Sequence, residues 1–290
     1  MINKLIKIVV FAVTGIVTVL FAISYIKVNF LKDKTIPVIT VPDGVFEVSV
    51  NARDEDILEG VTAYDKKDGD ITDDLIIESI SKFSSDGTCK VSIAVCDADN
   101  HVSTAIRTIL YNDYTSPKFT MTRSLVFSIY DKFDMVGIIG AEDCLDGDIS
   151  QNVIIYSPDF EEDTEGEFSV EASVMNSKGE SVTITLPIIV EKQAKNGPEI
   201  VLNKYILYMS KDSATVPDWT KFIKETVDAE GVDAKFDVEI ETDYEPGVTG
   251  VYSVDYYIYN EPEEESTAET TATAQEKTIL CHTAMIVVVE

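Results

Sequence analysis

Histidine, cysteine and tryptophan are scarce in this chain. Its 290 residues include two histidines, four cysteines and one tryptophan. His101 falls in a polar turn-like segment and His282 in an apolar strand-like one, and neither belongs to a metal-binding motif. HExxH, GxSxG and the P-loop pattern are all missing. Carboxylate pairs are abundant, but in a chain this acidic they carry no information. The expectation is a protein that is not an enzyme. Cys89, Cys96, Cys144 and Cys281 form no CxxC pair, which argues against zinc and thioredoxin-like chemistry. Cys89 and Cys96 are seven apart in an alternating segment. An odd separation puts them on opposite faces of a strand, so they cannot bridge within it. Four free thiols are expected. None of the ten asparagines begins an Asn-x-Ser/Thr sequon.

Basic side chains are also few. The net charge is −29, and beyond residue 35 it is −33, with 18 basic against 51 acidic residues. Such a surface repels nucleic acid, whose phosphates need lysine and arginine. It also repels anionic lipid headgroups. It suits a soluble ectodomain with a solvated acidic face, or a cation-binding one.

The one long apolar run is at the N-terminus. Ile8 to Ile26 has no charged residue over 19 positions, close to the roughly 20 needed to cross a hydrocarbon core. Lys4 and Lys7 precede it, and Lys27, Lys32 and Lys34 follow. It is expected to anchor the chain, with 1–7 as a cytoplasmic tail, 8–26 crossing the membrane and 27–35 as a stalk. A cleaved signal peptide is the alternative, with Ala22-Ile23-Ser24 as its small-x-small site. Lysines on both sides leave orientation open by the positive-inside rule. The acidic β modules that follow argue for the outside.

Beyond the anchor a motif occurs twice. AYDKKDGDITDDLII (63–77) returns as AEDCLDGDISQNVII (141–155), with Asp65, Asp68 and Asp70 recurring as Asp143, Asp146 and Asp148 at an offset of 78. A repeat of that period means an array of similar modules. In the first, Cys89, Val91, Ile93 and Val95 make one apolar face at period two; in the second, Phe168, Val170, Ala172 and Val174 do so. A third, more distant copy places Gly250, Tyr252, Val254, Tyr256 and Ile258 at an offset of 163 from Gly87, Cys89, Val91, Ile93 and Val95. PDWTKFIKETV (217–227) reads as a short helix capped by Asp218. The tract 261–277 is acidic, threonine-rich and without period, and reads as a mobile loop in place of a tight turn. Short strands every 8–12 residues predict an all-β fold, tandem Ig-like β-sandwiches after one transmembrane helix. The modules are 36–113, 114–193 and 194–290. Set end to end they would make a rod of roughly 100 Å.

Several segments are similar to a known family. Pro37-Val38-Ile39-Thr40, Gly60 to Asp65 and Asp68 to Thr72 resemble bacterial immunoglobulin-like repeats, the cadherin-like or hyalin-repeat-like modules found in tandem on Gram-positive surface proteins. The family's later pattern is a glycine, an alternating strand and an Asp-x-x-Gly-Asn-like turn. Gly87 with CKVSIAVCDADN and Gly166 with EFSVEASVMNSKG match it. The resemblance covers roughly 36–290, closely for two modules and distantly for the third. It implies surface display, adhesion or spacing, and does not specify a ligand. The C-terminus carries no LPxTG-type sorting signal, so attachment would rest on the N-terminal helix.

Two sets of candidate site residues follow. Asp65, Asp68, Asp70, Asp143, Asp146 and Asp148, with Asp97 and Asp99, are candidate calcium ligands, since calcium takes six to eight oxygens. The competing reading is that these aspartates cap turns, with Gly69 and Gly147 supplying φ > 0. Tyr257 and Tyr259 fall on the strand face opposite Tyr252 and Tyr256, and exposed tyrosines are good binding anchors. They are also ordinary strand residues. The functional expectation is a membrane-anchored surface protein that binds a protein or glycan ligand through its distal module. The alternative is a passive spacer in an envelope assembly.

Overall fold

Alternating apolar and polar residues with glycine-rich turns between them cannot sustain helices, and the chain folds accordingly. The computed structural model describes residues 2–30, 34–130, 135, 137–157, 164–213, 215–260 and 277–290. Most of the acidic tract predicted as a loop, 261–276, lies outside the described residues. A single long helix, α1 (Ile2–Phe30), opens the chain. Within it Ile6–Lys27 is long and apolar enough to cross a membrane. The Thr14 and Thr18 hydroxyls donate to the carbonyls of Val10 and Thr14, both at 2.8 Å, so these two polar side chains are satisfied within the helix.

The first sandwich contains β1 (Val38–Thr40), β2 (Val45–Val48), β3 (Thr62–Asp65), β4 (Gly69–Asp70), β5 (Ile76–Ile80), β6 (Cys89–Cys96) and β7 (Val102–Tyr111). Its sheets run β1-β3-β4 and β2-β7-β6-β5. The opening segment switches sheets: β1 pairs antiparallel with β3, then β2 pairs parallel with β7. The period-two face of β6 is the core, where Cys89, Val91 and Ile93 are wholly buried. Cys96 is exposed, as its opposite phase requires. A short helix, α2 (Asp54–Ile57), links the sheets. The buried Arg107 of β7 donates to the carbonyls of Ile57 at 2.5 Å and Glu59 at 2.7 Å and lies over the Phe46 ring at 3.6 Å.

The second sandwich repeats the order with β8 (Lys118–Met121), β9 (Val126–Ser128), β10 (Ile139–Asp143), β11 (Gly147–Asp148), β12 (Ile154–Tyr156), β13 (Gly166–Met175) and β14 (Ser181–Glu191). Its sheets are β8-β10-β11 and β9-β14-β13-β12. The third contains β15 (Glu199–Leu202), β16 (Ile206–Met209), β17 (Ile223–Val227), β18 (Glu239–Thr242), β19 (Gly250–Tyr259) and β20 (Ile279–Val289), as β15-β17 and β16-β20-β19-β18. The predicted 217–227 helix is only a 3-10 turn, Trp219–Phe222, followed at once by β17. Asp218 does cap it, accepting from the Thr220 N–H at 3.3 Å. β-Branched Ile223, Thr226 and Val227 fit the strand that pairs with β15 better than a helix.

Residues 1–113 and 114–290 form two compact units. In the second unit the two sandwiches do not simply follow end to end. They share a buried seam along β20. Cys281, Met285, Val287 and Val289 face the third core. Ile286 and Val288, on the opposite face, join the core of the second sandwich, with Ile206 and Tyr208 beside them. The Tyr208 hydroxyl accepts from the Phe119 N–H at 2.8 Å, and the Ala284 N–H donates to Ser124 Oγ at 2.9 Å. A strand buried on both faces loses its alternation, which is why β20 is apolar almost throughout.

Candidate functional site

Two places gather the predicted site residues: the aspartate turns of the first two sandwiches, and the cleft beside the seam.

Each Asp-Gly-Asp motif is the β3–β4 or β10–β11 hairpin. Asp65 pairs with Gly69 and Asp143 with Gly147 across three-residue loops, a geometry that needs a left-handed residue at the loop end. Gly69 (φ 82°) and Gly147 (φ 71°) supply it. The three aspartates then do three jobs. Asp65 Oδ1 accepts from the N–H groups of Lys67 (2.7 Å) and Asp68 (3.1 Å), and Asp143 Oδ1 from those of Leu145 (2.9 Å) and Asp146 (3.0 Å). Asp68 reaches the neighbouring turn through the Ala98 N–H at 3.0 Å, and Asp146 through the Ser177 N–H at 2.6 Å. Asp70 and Asp148 close the following 3-10 turns by accepting from Thr72 N–H (3.0 Å) and Ser150 N–H (2.9 Å). Those bonds, led by the Thr72 and Ser150 side chains, hold both carboxyls below the usual carboxylate range.

The other oxygens of Asp65 and Asp143 are also engaged. Asp65 is 1% exposed and its Oδ2 accepts from Thr35 Oγ1 at 3.2 Å, which ties the entering chain to the turn. Asp143 Oδ2 accepts from Asn176 Nδ2 at 3.1 Å, and Asn176 Nδ2 also donates to Tyr114 Oη at 2.7 Å. Asp97 folds its own turn, accepting from Asp99 N–H (2.9 Å) and His101 N–H (2.7 Å), while Lys67 pairs with Asp99. Asn176 takes the place of Asp97 in the second sandwich, accepting from Lys178 and Glu180. The aspartates are thus near one another, but their oxygens are engaged by backbone N–H groups and by the side chains of Thr35, Lys67, His101 and Asn176. Among the described residues no three His, Cys, Asp or Glu side chains form a metal-binding group.

The third sandwich holds a counterpart that sequence reading missed. Asp228 Oδ1 accepts from Glu230 N–H (3.0 Å) and Val232 N–H (2.9 Å). It lies 163 residues after Asp65, the offset of the neighbouring strand, so the signal was present. The second turn also has its counterpart. Where Asp97 N–H donates to His101 C=O and Asn176 N–H to Glu180 C=O, both at 3.0 Å, Asn260 N–H donates to Thr278 C=O at 2.9 Å.

The predicted tyrosines come together on β19. Tyr257 and Tyr259 stack at 5.5 Å, and Lys277 lies over the Tyr259 ring at 5.0 Å. Neither is freely exposed, a correction to the sequence reading. Tyr257 also stacks on His282 of β20 at 4.1 Å, because the two are directly paired across the β19–β20 ladder. Its phenol is pushed up by burial and by Asp255 beside it. His282 is 4% exposed. Its Nδ1 lies 2.9 Å from Glu191 Oε1 on β14 and its Nε2 lies 3.0 Å from Asp255 Oδ1 on β19.

Beside this cluster a cleft of about 800 Å³ opens between the second and third sandwiches. One wall is Val126, Phe168 and Pro187, and the other Val251, Asp255 and Tyr257, with Glu167 and Asp243 adding further carboxylates. It is half polar, of a size for a small ligand or a short peptide segment.

No family model matches the chain. A relative from Acholeplasma phage L2, an uncharacterized 81.3 kDa protein, is 22% identical over 182 residues, covering 60% of this chain and 23% of the relative's length. The chain therefore spans about a quarter of that relative. Among solved structures, it is similar to the M60 catalytic domain with the CBM51-1 and CBM51-2 domains from Clostridium perfringens ZmpB. That match has 16% identity, 89% of this chain, 31% of the other and a TM-score of 0.20. It is also similar to Drosophila N-cadherin EC1-4, at 12% identity, 89% and 76% coverage and a TM-score of 0.24. The lipoprotein BT2262 from Bacteroides thetaiotaomicron matches at 12% identity, 58% and 79% coverage and a TM-score of 0.23.

Proposed function

We propose that this chain is a non-catalytic, single-pass bacterial surface protein. Its N-terminal helix anchors it, and its sandwiches lie outside and bind a protein or glycan ligand. The observation that carries this reading is the cleft beside β19 and β20, which combines an aromatic side chain at each wall with carboxylates. Phe168 and Tyr257 offer contact area, and the carboxylates and Ser253 offer acceptors for hydroxyl or amide groups.

The test is capture by the full-length chain in detergent, from glycan arrays and from cell-envelope extracts. Val251 is partly exposed at the cleft wall, so Val251→Trp should fill the cleft while the sandwich still folds. A dominant ligand retained by wild type and lost with Val251→Trp supports the binder. The buried seam favours a second reading, a stiff spacer, because two sandwiches joined along a strand resist bending. Capture unaffected by Val251→Trp, or no capture at all, favours the spacer.

A further inference from the structure

The His282 site has a charge requirement set by its geometry. Both ring nitrogens face carboxylate oxygens, Glu191 Oε1 at 2.9 Å and Asp255 Oδ1 at 3.0 Å. A carboxylate oxygen only accepts, so each contact needs an N–H. A neutral imidazole has one N–H, and its other nitrogen would turn a lone pair toward an anion. Only the imidazolium, with two N–H groups, satisfies both contacts at once.

The partners come from both sandwiches. Glu191 ends β14 of the second; Asp255 lies on β19 of the third. Gln193 Nε2 bridges the join, donating to Glu191 Oε1 at 3.3 Å and to the His282 carbonyl at 3.2 Å. Ser253 Oγ donates to Asp255 Oδ2. Tyr257 covers one ring face, and Glu241 of β18 is the next charge acting on that phenol. Among the described residues neither Glu191 nor Asp255 has a lysine or arginine partner, so the imidazolium is the cation that holds them.

We propose that His282 is a proton-dependent latch: as an imidazolium it fastens the third sandwich to the second along the seam, and on losing its proton it releases that end of the seam. The latch does not rest on what the cleft binds, but Asp255 and Tyr257 belong to both, so release alters the cleft wall. Burial alone would lower the imidazole's proton affinity; the bonds to Asp255 and Glu191 outweigh it, and the net direction is upward. A raised folded value means the stabilisation is complete below the ordinary imidazole value of about 6.5 and is lost as pH rises through the folded value. The latch is therefore closed in mildly acid solution and opens on the alkaline side.

The chain holds only two histidines, so ring-¹⁵N-labelled full-length protein in detergent gives two imidazole signatures, and His101→Gln leaves that of His282. At pH 6 both His282 ring nitrogens should be protonated, with a midpoint above 6.5, and Glu191→Gln should lower that midpoint. Amide exchange supplies the second readout. As pH rises through the midpoint, Ala284, whose N–H crosses the seam to Ser124, should lose protection relative to Met285, whose side chain lies in the third core. His282→Gln should remove that pH dependence. An unprotonated ring nitrogen at pH 6, or an Ala284-to-Met285 ratio that stays constant through the titration, overturns the proposal.

Discussion

The last strands of the first and third sandwiches hold the same place in equivalent four-stranded sheets, yet they are buried differently. Along β7 the outer residues Val102 and Ile106 are 60% and 63% exposed. Along β20 the nine residues from Cys281 to Val289 are all buried. The inner faces are alike; the outer faces differ in whether a neighbour covers them. The amino acids record this: the outer face of β7 carries Thr104 and Thr108 on either side of Ile106, whereas β20 ends Met285-Ile286-Val287-Val288-Val289. Loss of period two at the end of a repeat is the mark of a strand with two interiors.

Substitution on the outer faces is the strongest way to break this comparison. Ile286→Asp places an unpaired charge in the seam and should destabilise the second unit by about 3–5 kcal/mol. Ile106→Asp on β7 should stay within about 0.5 kcal/mol. Denaturant midpoints of the two variants check both, and a mild Ile286→Asp would mean that the seam is not closed in solution. Next in size is Ile286→Ala, expected to remove about 2–4 kcal/mol, matching Ile109→Ala on the inner face of β7. A smaller difference lies at Arg107, whose inward position on β7 is occupied by Leu186 in the equivalent place on β14 and by Met285 in that on β20. Arg107→Met should lose about 1–3 kcal/mol by orphaning the Ile57 and Glu59 carbonyls, measured as the shift in thermal midpoint. Asp143→Ala should lose about 0.5–2 kcal/mol, the usual range for a lost side-chain cap. If the aspartates act only as turn acceptors, melts in EDTA and in millimolar calcium should coincide. A higher midpoint in calcium would reassign Asp65, Asp68, Asp70 and their copies to a metal.

Much of the fold was legible because it is local. Period-two faces placed the cores of β6, β13 and β19, and the repeated Asp-Gly-Asp placed two hairpins with their glycines. The 217–227 segment was misread because apolar spacing in a short run fits a helix and a strand alike, and pairing with β15 decides it. The candidate site was half legible. Tyr257 was singled out for its face, but sequence does not say that His282 would cover it. That follows from the β19–β20 register together with Glu191, distant in the chain. The switch of each opening segment from one sheet to the other, as in β1 and β2, leaves no clear pattern because both halves are only three or four residues long.

The bond from Asn260 to Thr278 has an evolutionary consequence. One backbone bond closes a five-residue turn in two sandwiches and a much longer stretch of sequence in the third, where the antiparallel ladder beneath it persists with one irregularity between Ile258 and Tyr259. Lengthening the connection between two paired strands costs little, about 0.6 kcal/mol for each doubling. This corner of the module is thus a permissive port, where new sequence can be spliced in without redesigning the sandwich that carries it.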